Sequence, residues 1–330
     1  MLTYAAAMAA GTILCFALYA LRLRASGGKA AGALITLPAA AVCGLLGARV
    51  GYVLLQLMDE LGYYGVSALW RFAEDAQSFV LGAVGVCAGV ALCARFTGLS
   101  RGAALDAFAP AGALLAAVFR IGEHWLGSWG LGGLADKKSP LAFFPIAVQF
   151  DAGYGRIRTM WAVCFWAAAV AVAVMIIFLV RRKDRQGLLF DQAAFALLLP
   201  QVLLESLRSR GIKWGFVRAE QVLCGILILL IVLSTCRRTP LRLGFWRKYW
   251  PGFGIFGCAL VIVGIEFIIG KPTLVPFAMT PLANYSVMAA ALAGMAAIYA
   301  WCLRRLRGTA VSWQKTAQAG NAERKGTGGR

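Results

Sequence analysis

The stretch Asp106-Ala-Phe-Ala-Pro-Ala-Gly-Ala-Leu-Leu-Ala-Ala-Val-Phe-Arg120-Ile-Gly-Glu-His124 decides how this chain is read. It is apolar for long enough to enter a bilayer, yet it carries an arginine near its end. A guanidinium stays charged at any accessible pH, so inside a membrane it needs an anionic partner or is expelled. Insertion scales place the cost of a central arginine at about 2.5–3.5 kcal/mol, which makes an intramembrane arginine a pointer to a functional site. Asp106, Arg120, Glu123 and His124 share this one stretch, and His124 is the chain's single histidine.

The remaining sequence has the same character. Of 330 residues, 61% are hydrophobic and 14% charged, a balance that excludes a water-soluble domain. The class is an all-α polytopic membrane protein. Apolar runs of spanning length lie at 4–21, 31–57, 78–94, 105–121, 160–180, 188–207, 217–234, 253–270 and 285–303, which makes about nine transmembrane helices. Pro110 and Pro200 interrupt two of these runs.

A net charge of +19 invites a nucleic-acid reading, but the placement of the charges argues for topology instead. Most of the 33 Lys and Arg residues fall after the first, third, fifth, seventh and ninth runs, and therefore on one side of the membrane. Arg181, Arg182, Lys183 and Arg185 form one such group, and Arg237, Arg238, Arg242, Arg247 and Lys248 another. The loop after the second run holds Asp59, Glu60, Glu74 and Asp75 against Arg71 alone. The positive-inside rule then puts the N-terminus outside and the C-terminus in the cytoplasm. The first run is expected to be a retained helix rather than a secretory signal, because its basic residues follow it. The nine cysteines lie in or beside apolar runs without a CxxC pair, so they read as small hydrophobes. No metal site and no cofactor is expected.

The segment from Glu123 to Arg158 is rich in Gly and aromatics and is expected to be a small folded head outside the membrane, after the fourth helix (head about 123–158). The expected organisation is a transmembrane core over 1–236, a basic linker over 237–252, two further helices over 253–303 and a basic disordered tail over 304–330.

On a helix, Arg120, Glu123 and His124 are i, i+3 and i+4 and share one face. Gln201, Glu205 and Arg208 are i, i+4 and i+7, again one face. Gly47-Ala-Arg49-Val-Gly51 sets an arginine among small residues that let helices approach closely. Three helices are thus expected to turn Arg49, Arg120 and Arg208 toward a common interior, balanced by Asp106, Glu123 and Glu205. Clustered buried arginines suit phosphate or carboxylate, whose oxygens match the planar fork. The plainer alternative is a set of mutual salt bridges that fix helix packing, with His124 a structural histidine and Trp125 and Trp129 interface anchors.

At these residues the chain resembles the bacterial prolipoprotein diacylglyceryl transferase family. The family's G-A-R-x-G-Y-V-L helix is met by Gly47-Ala-Arg-Val-Gly-Tyr-Val-Leu54, and its D-x-x-A-P helix by Asp106-Ala-Phe-Ala-Pro110. Its G-R-x-G-N-F becomes Phe119-Arg120-Ile-Gly122-Glu123, and its Gly-rich head entry becomes Gly127-Ser-Trp-Gly130. Its R-x-x-x-E-x-x-R helix followed by G-Q is met by Gln201, Glu205, Arg208 and then Gln221. Tyr4 stands for the tyrosine of its first helix. The resemblance covers residues 1–236. The chain departs from it at Val80, where the family has a histidine, at Glu123 for asparagine, at Gln201 for arginine, at Leu197 for tyrosine, and near Ala162, where an acid is absent.

The resemblance implies transfer of a diacylglyceryl group from phosphatidylglycerol to the lipobox cysteine of prolipoproteins, in the bacterial cytoplasmic membrane. It implies Arg120, Glu123, His124, Glu205 and Arg208 as catalytic candidates, with Arg120 and Arg208 on the phosphate. Glu123, Glu205 and His124 are the candidate bases for the thiol, whose thiolate is the nucleophile. Tyr4, Arg49, Asp106, Gly130, Gln201 and Gln221 are the implied phospholipid-binding residues. Two alternatives stand beside this reading: a non-catalytic paralogue that binds or moves an anionic phospholipid, and an unrelated polytopic transporter, against which the lack of an internal repeat argues.

Overall fold

In hydrocarbon a backbone must satisfy its own N–H and C=O groups, so long apolar runs become long helices. The computed structural model describes residues 2–70, 77–125, 132–151, 154–180, 187–208, 212–239, 244–271 and 280–327. Its helices are α1 (Leu2–Ala25), α2 (Ala33–Leu55), α3 (Leu57–Tyr64), α4 (Phe79–Leu92), α5 (Ala94–Thr97), α6 (Arg101–Trp125), α7 (Val163–Val180), α8 (Leu188–Leu207), α9 (Ala219–Arg238), α10 (Phe245–Gly270) and α11 (Pro281–Thr327). Among the described residues, eight helices are long and apolar enough to cross a membrane. The protein is a polytopic helical membrane protein.

The run at 78–94 is the exception in length. It forms α4, of 14 residues, which stops at Cys93 and gives way to the single turn α5. At 1.5 Å per residue α4 reaches about 21 Å, short of a hydrocarbon core of about 30 Å. The runs interrupted by Pro110 and Pro200 each fold as one helix, with the proline inside. The linker assigned to 237–252 is shorter than its composition suggests, because 245–251 forms the first two turns of α10. α11 continues through Thr327.

The chain divides into two compact units, Met1–Cys224 and Gly225–Arg330, with the boundary inside α9. In the first unit α6 is central. Ala107, Phe108 and Ala111 on one side pack with Tyr19 and Leu23 of α1, Ala33 and Ala40 of α2, and Val90 of α4. The Tyr19 and Phe108 rings meet edge-on, with centroids 5.5 Å apart. On its other side Ala109 and Ala113 meet Val174 and Phe178 of α7 and Leu189 and Ala193 of α8. Small side chains at these seams bring helix backbones close, the usual basis of association in lipid. The α2–α4 pair takes this furthest. A Cβ on Gly47 would lie 2.7 Å from the Leu81 carbonyl oxygen, and one on Gly85 would strike the Cys43 carbonyl.

Hydrogen bonds define the two ends of this unit. At one end, Arg22 in the last turn of α1 donates from Nη1 to Leu179 O near the end of α7 (3.1 Å), and the Lys29 N–H donates to Thr97 O (2.8 Å). At the other end, the Ser78 N–H donates to Ala48 O (3.0 Å), and the Gly133 N–H to Leu207 O (2.7 Å). Between α6 and α7 the chain forms an antiparallel hairpin of β1 (Ala147–Asp151) and β2 (Ile157–Trp161). Gly132 and Leu134 bridge from there to Arg208 and Met160. A second small hairpin, β3 (Lys213–Trp214) with β4 (Val217–Arg218), precedes α9.

In the second unit α10 packs against the first part of α11. Ile255, Ile262 and Ile265 are buried with Met288, Leu292 and Met295. Trp250 and Trp301 meet at 5.0 Å between ring centroids.

Candidate functional site

α6 ends in the turn that carries Arg120 and Glu123, and α8 ends in the turn that carries Glu205 and, at its extended C-cap, Arg208. Because the two helices pack together, the two turns meet. Glu123 Oε1 accepts from Arg120 Nη1 at 2.6 Å and from Arg208 Nη2 at 3.2 Å. Glu205 Oε1 accepts from Arg208 Nη1 at 3.1 Å and lies 3.6 Å from Arg120 Nη2. The four side chains alternate in charge around a ring, and their formal charges cancel. Gln201 supports it, donating from Nε2 to Glu205 Oε1 at 2.6 Å.

Burial within the ring is uneven. Arg120 and Glu205 expose 4% and 2% of their side chains, whereas Arg208 and Glu123 expose 16% and 19%. One edge is therefore closed in the protein, and the Glu123–Arg208 edge is open. Arg120 also lies on the Phe79 ring, with Cζ 3.7 Å from its centroid, so an aromatic face backs the guanidinium. Burial opposes the charge on Arg208, but the carboxylates of Glu205 and Glu123 outweigh it and push its pKa up. The buried Nε and Nη2 of Arg120 and the buried Nε of Arg208 have no hydrogen-bond acceptor among the described residues. Buried donors of a charged group are costly to leave unmatched, so this face of the ring suits an acceptor-rich anion.

Arg208 is held from behind as well. Arg218 Nη2 donates to Arg208 O at 2.5 Å, and Gly132 packs where a Cβ would lie 2.8 Å from Leu207 O. Gln221 Nε2 donates to Val202 O at 2.9 Å, tying α9 to α8. Next to it, Glu220 accepts from Ser78 Oγ (2.6 Å) and from the Val80 N–H (3.0 Å), and so caps α4 from another helix. Val80 itself is buried.

Three further candidates, Arg49, Asp106 and His124, make other contacts. Arg49 does not turn to the common interior expected of it. It donates from Nε to Ala68 O at 2.9 Å and pairs with Glu60 at 3.1 Å, because the chain after α2 folds back as α3 and brings Glu60 over it. Asp106 stands near the opposite end of α6 from Arg120. Its carboxylate accepts from the N–H groups of Gly187 (2.6 Å) and Phe190 (2.8 Å) and caps α8. Gly187 takes φ +81° there, a conformation that favours glycine. His124 packs on Phe165 of α7, with ring centroids 5.1 Å apart. The Tyr4 side chain and Gly130 lie outside the described residues.

Sequence reasoning missed Phe79, Arg218, Glu220 and Gly132 as contributors. Phe79 gives no signal in an apolar run. Glu220 had one, an acid at the first turn of a helix.

The fold and this ring define a class: a polytopic membrane protein holding two arginines and two carboxylates at the ends of packed apolar helices. The sequence pattern of the prolipoprotein diacylglyceryl transferase family matches residues 1–236, and the chain belongs to that family. It is thereby placed among membrane transferases of lipoprotein biosynthesis. No curated protein matches the chain. The matched region ends within α9, two residues before Arg238, so α10 and α11 lie beyond it.

Proposed function

We propose that the protein transfers a diacylglyceryl group from a glycerophospholipid to the lipobox cysteine of a prolipoprotein, with phosphatidylglycerol as a donor. The observation that carries this reading is the pair of guanidiniums, Arg120 buried and Arg208 partly so, with buried donors unmatched among the described residues. In the reaction the cysteine thiolate attacks the glyceryl carbon and the bond from that carbon to the phosphate oxygen breaks. Charge gathers on the departing phosphate, and cations preorganised in an apolar site stabilise it there. Arg120 and Arg208 supply them. Glu123, Glu205 or His124 takes the thiol proton, while Gln201 and Gln221 hold the surrounding helix ends in place. Arg49 and Asp106 act through the frame, at the α2–α3 turn and the start of α8.

The one-sided Lys and Arg distribution supports an arrangement in the bacterial cytoplasmic membrane with the N-terminus outside and the C-terminus inside. The arginine ring then opens at the outer face, opposite the end that carries Arg22 and Lys29. The test is formation of a thioether-linked diacylglyceryl adduct on a lipobox peptide by the purified protein, with Arg120→Lys as the comparison. Lysine keeps the charge but loses the fork, so turnover falls by at least about tenfold in the bidentate reading. Equal turnover removes Arg120 from the phosphate.

A second reading, a non-catalytic lipid binder, is favoured by one observation: Glu123 already occupies both arginines. Lipid binding without adduct formation distinguishes it.

A further inference from the structure

Within the second unit, α9 and α11 bring two thiols together. Cys236 in the last turn of α9 and Cys302 of α11 are both buried, and their thiols hydrogen-bond each other. They line one pocket with Lys248 and Pro251 of α10 and with Trp301 and Arg305 of α11. We infer that Cys236 and Cys302 form a dithiol site that hydrogen peroxide oxidises to a disulfide, joining α9 to α11. Cys302 lies beyond the region matched by the family, and the site is separate from the arginine–carboxylate ring.

Three features carry it. First, the sulfurs already face each other, whereas a thiol such as Cys15 donates to a backbone carbonyl, Ala111 O, instead. A sulfur attacked by an oxidant therefore has its resolving partner beside it, the arrangement of a redox-sensing pair. Second, the pocket is lined by two cations and no carboxylate. The Arg305 guanidinium lies on the Trp301 ring, with Cζ 4.5 Å from its centroid, which fixes it at the pocket wall. Cations beside a thiol favour the thiolate, the form that attacks. Third, Trp301 is exposed and Lys248 and Arg305 are partly so, which brings the wall of the pocket to the surface. The space inside is on the order of one water molecule, so it suits hydrogen peroxide and excludes bulkier oxidants. One thiolate sulfur attacks a peroxide oxygen, the O–O bond breaks and hydroxide leaves, which gives a sulfenic acid. The second sulfur attacks the sulfenic sulfur, the S–O bond breaks and the disulfide forms. Two thiols and one hydrogen peroxide become one disulfide and two waters, with the sulfurs oxidised and the peroxide reduced. On the orientation proposed above this end faces the cytoplasm, where disulfides are transient.

The experiment treats the reduced full-length protein in detergent with hydrogen peroxide, blocks remaining thiols with N-ethylmaleimide and maps the digest by mass spectrometry. The expected product is a peptide pair linked through Cys236 and Cys302 that dithiothreitol separates. At the same dose Cys43, Cys93 and Cys258, which are partly exposed, stay open to alkylation. Cys236→Ser and Cys302→Ser each abolish the linked pair. In one of the two, the remaining thiol has lost its resolving partner and is trapped by dimedone as the sulfenic acid. A pair that stays reduced while Cys43, Cys93 or Cys258 is oxidised overturns the assignment. So does a pair that stays reduced at a peroxide dose that fully oxidises free glutathione in the same buffer.

Discussion

Glu123 of α6 and Arg208 at the end of α8 are 85 residues apart in the chain and meet at 3.2 Å, through a carboxylate oxygen that Arg120 also holds. This contact joins the last turns of two helices whose other ends are joined by Asp106 and the start of α8. The α6–α8 seam is thus fastened at both ends by carboxylates, and at the Glu123 end the carboxylate holds two guanidiniums.

Breaking the buried part of that ring costs stability as well as binding. Arg120→Ala leaves Glu205 nearly buried with one cation fewer, a change of the kind that destabilises by about 3–5 kcal/mol. The melting temperature in detergent is expected to drop clearly. The double variant Arg120→Ala/Glu205→Gln, which restores the charge balance, recovers part of the loss without recovering headgroup binding. Full recovery of both would make the ring a packing device only.

Asp106→Ala removes the cap of α8 and is expected to lower stability by about 0.5–2 kcal/mol, the range for lost caps. The readout is the melting temperature, with headgroup binding measured per folded molecule. Binding lost at an unchanged melting temperature would instead place Asp106 in the site.

At the α2–α4 seam, Gly85→Val forces a side chain against the Cys43 carbonyl and the Gly44 Cα, 3.2 Å away. Backbone cannot swing aside as a side chain does, so the cost is expected at or above the upper part of the overpacking range of about 1–3 kcal/mol. Poor folding yield and a lower melting temperature are the expected outcome. A variant as stable as the parent would show that the two helices do not pack this closely.

Topology is checked by cysteine labelling in intact cells on a background without the native cysteines. A cysteine at Lys138 is expected to be labelled from outside, and one at Lys183 is expected to be protected. The reverse pattern would turn the site toward the cytoplasm.

Much of this architecture is legible in the sequence. Apolar runs mark the spanning helices, since only hydrocarbon demands such lengths. The Arg120–Glu123 and Gln201–Glu205 pairs follow from helical spacing, whereas Arg208 reaches Glu205 from the extended C-cap of α8 rather than from the helix face expected of it. The fate of Arg49 does not, because a lone arginine in a helix gives no hint that α3 and the turn after it fold back over it. Nor does that of Asp106: sequence proximity to Arg120 hides that a helix carries them to opposite ends, about 21 Å apart at 1.5 Å per residue. The β1–β2 hairpin escapes notice because five-residue strands in a Gly- and aromatic-rich segment leave too short an alternation to read. Phe79 under Arg120 is invisible for a simpler reason: one apolar residue among many.

The claim on which the rest depends is that this ring works on a phospholipid to modify a cysteine. Its most direct test is mass spectrometry of a lipobox peptide incubated with the purified full-length protein and phosphatidylglycerol. The account predicts a thioether-linked diacylglyceryl adduct that requires Arg120 and Arg208. Folded protein that binds this lipid yet leaves the peptide unmodified would contradict it.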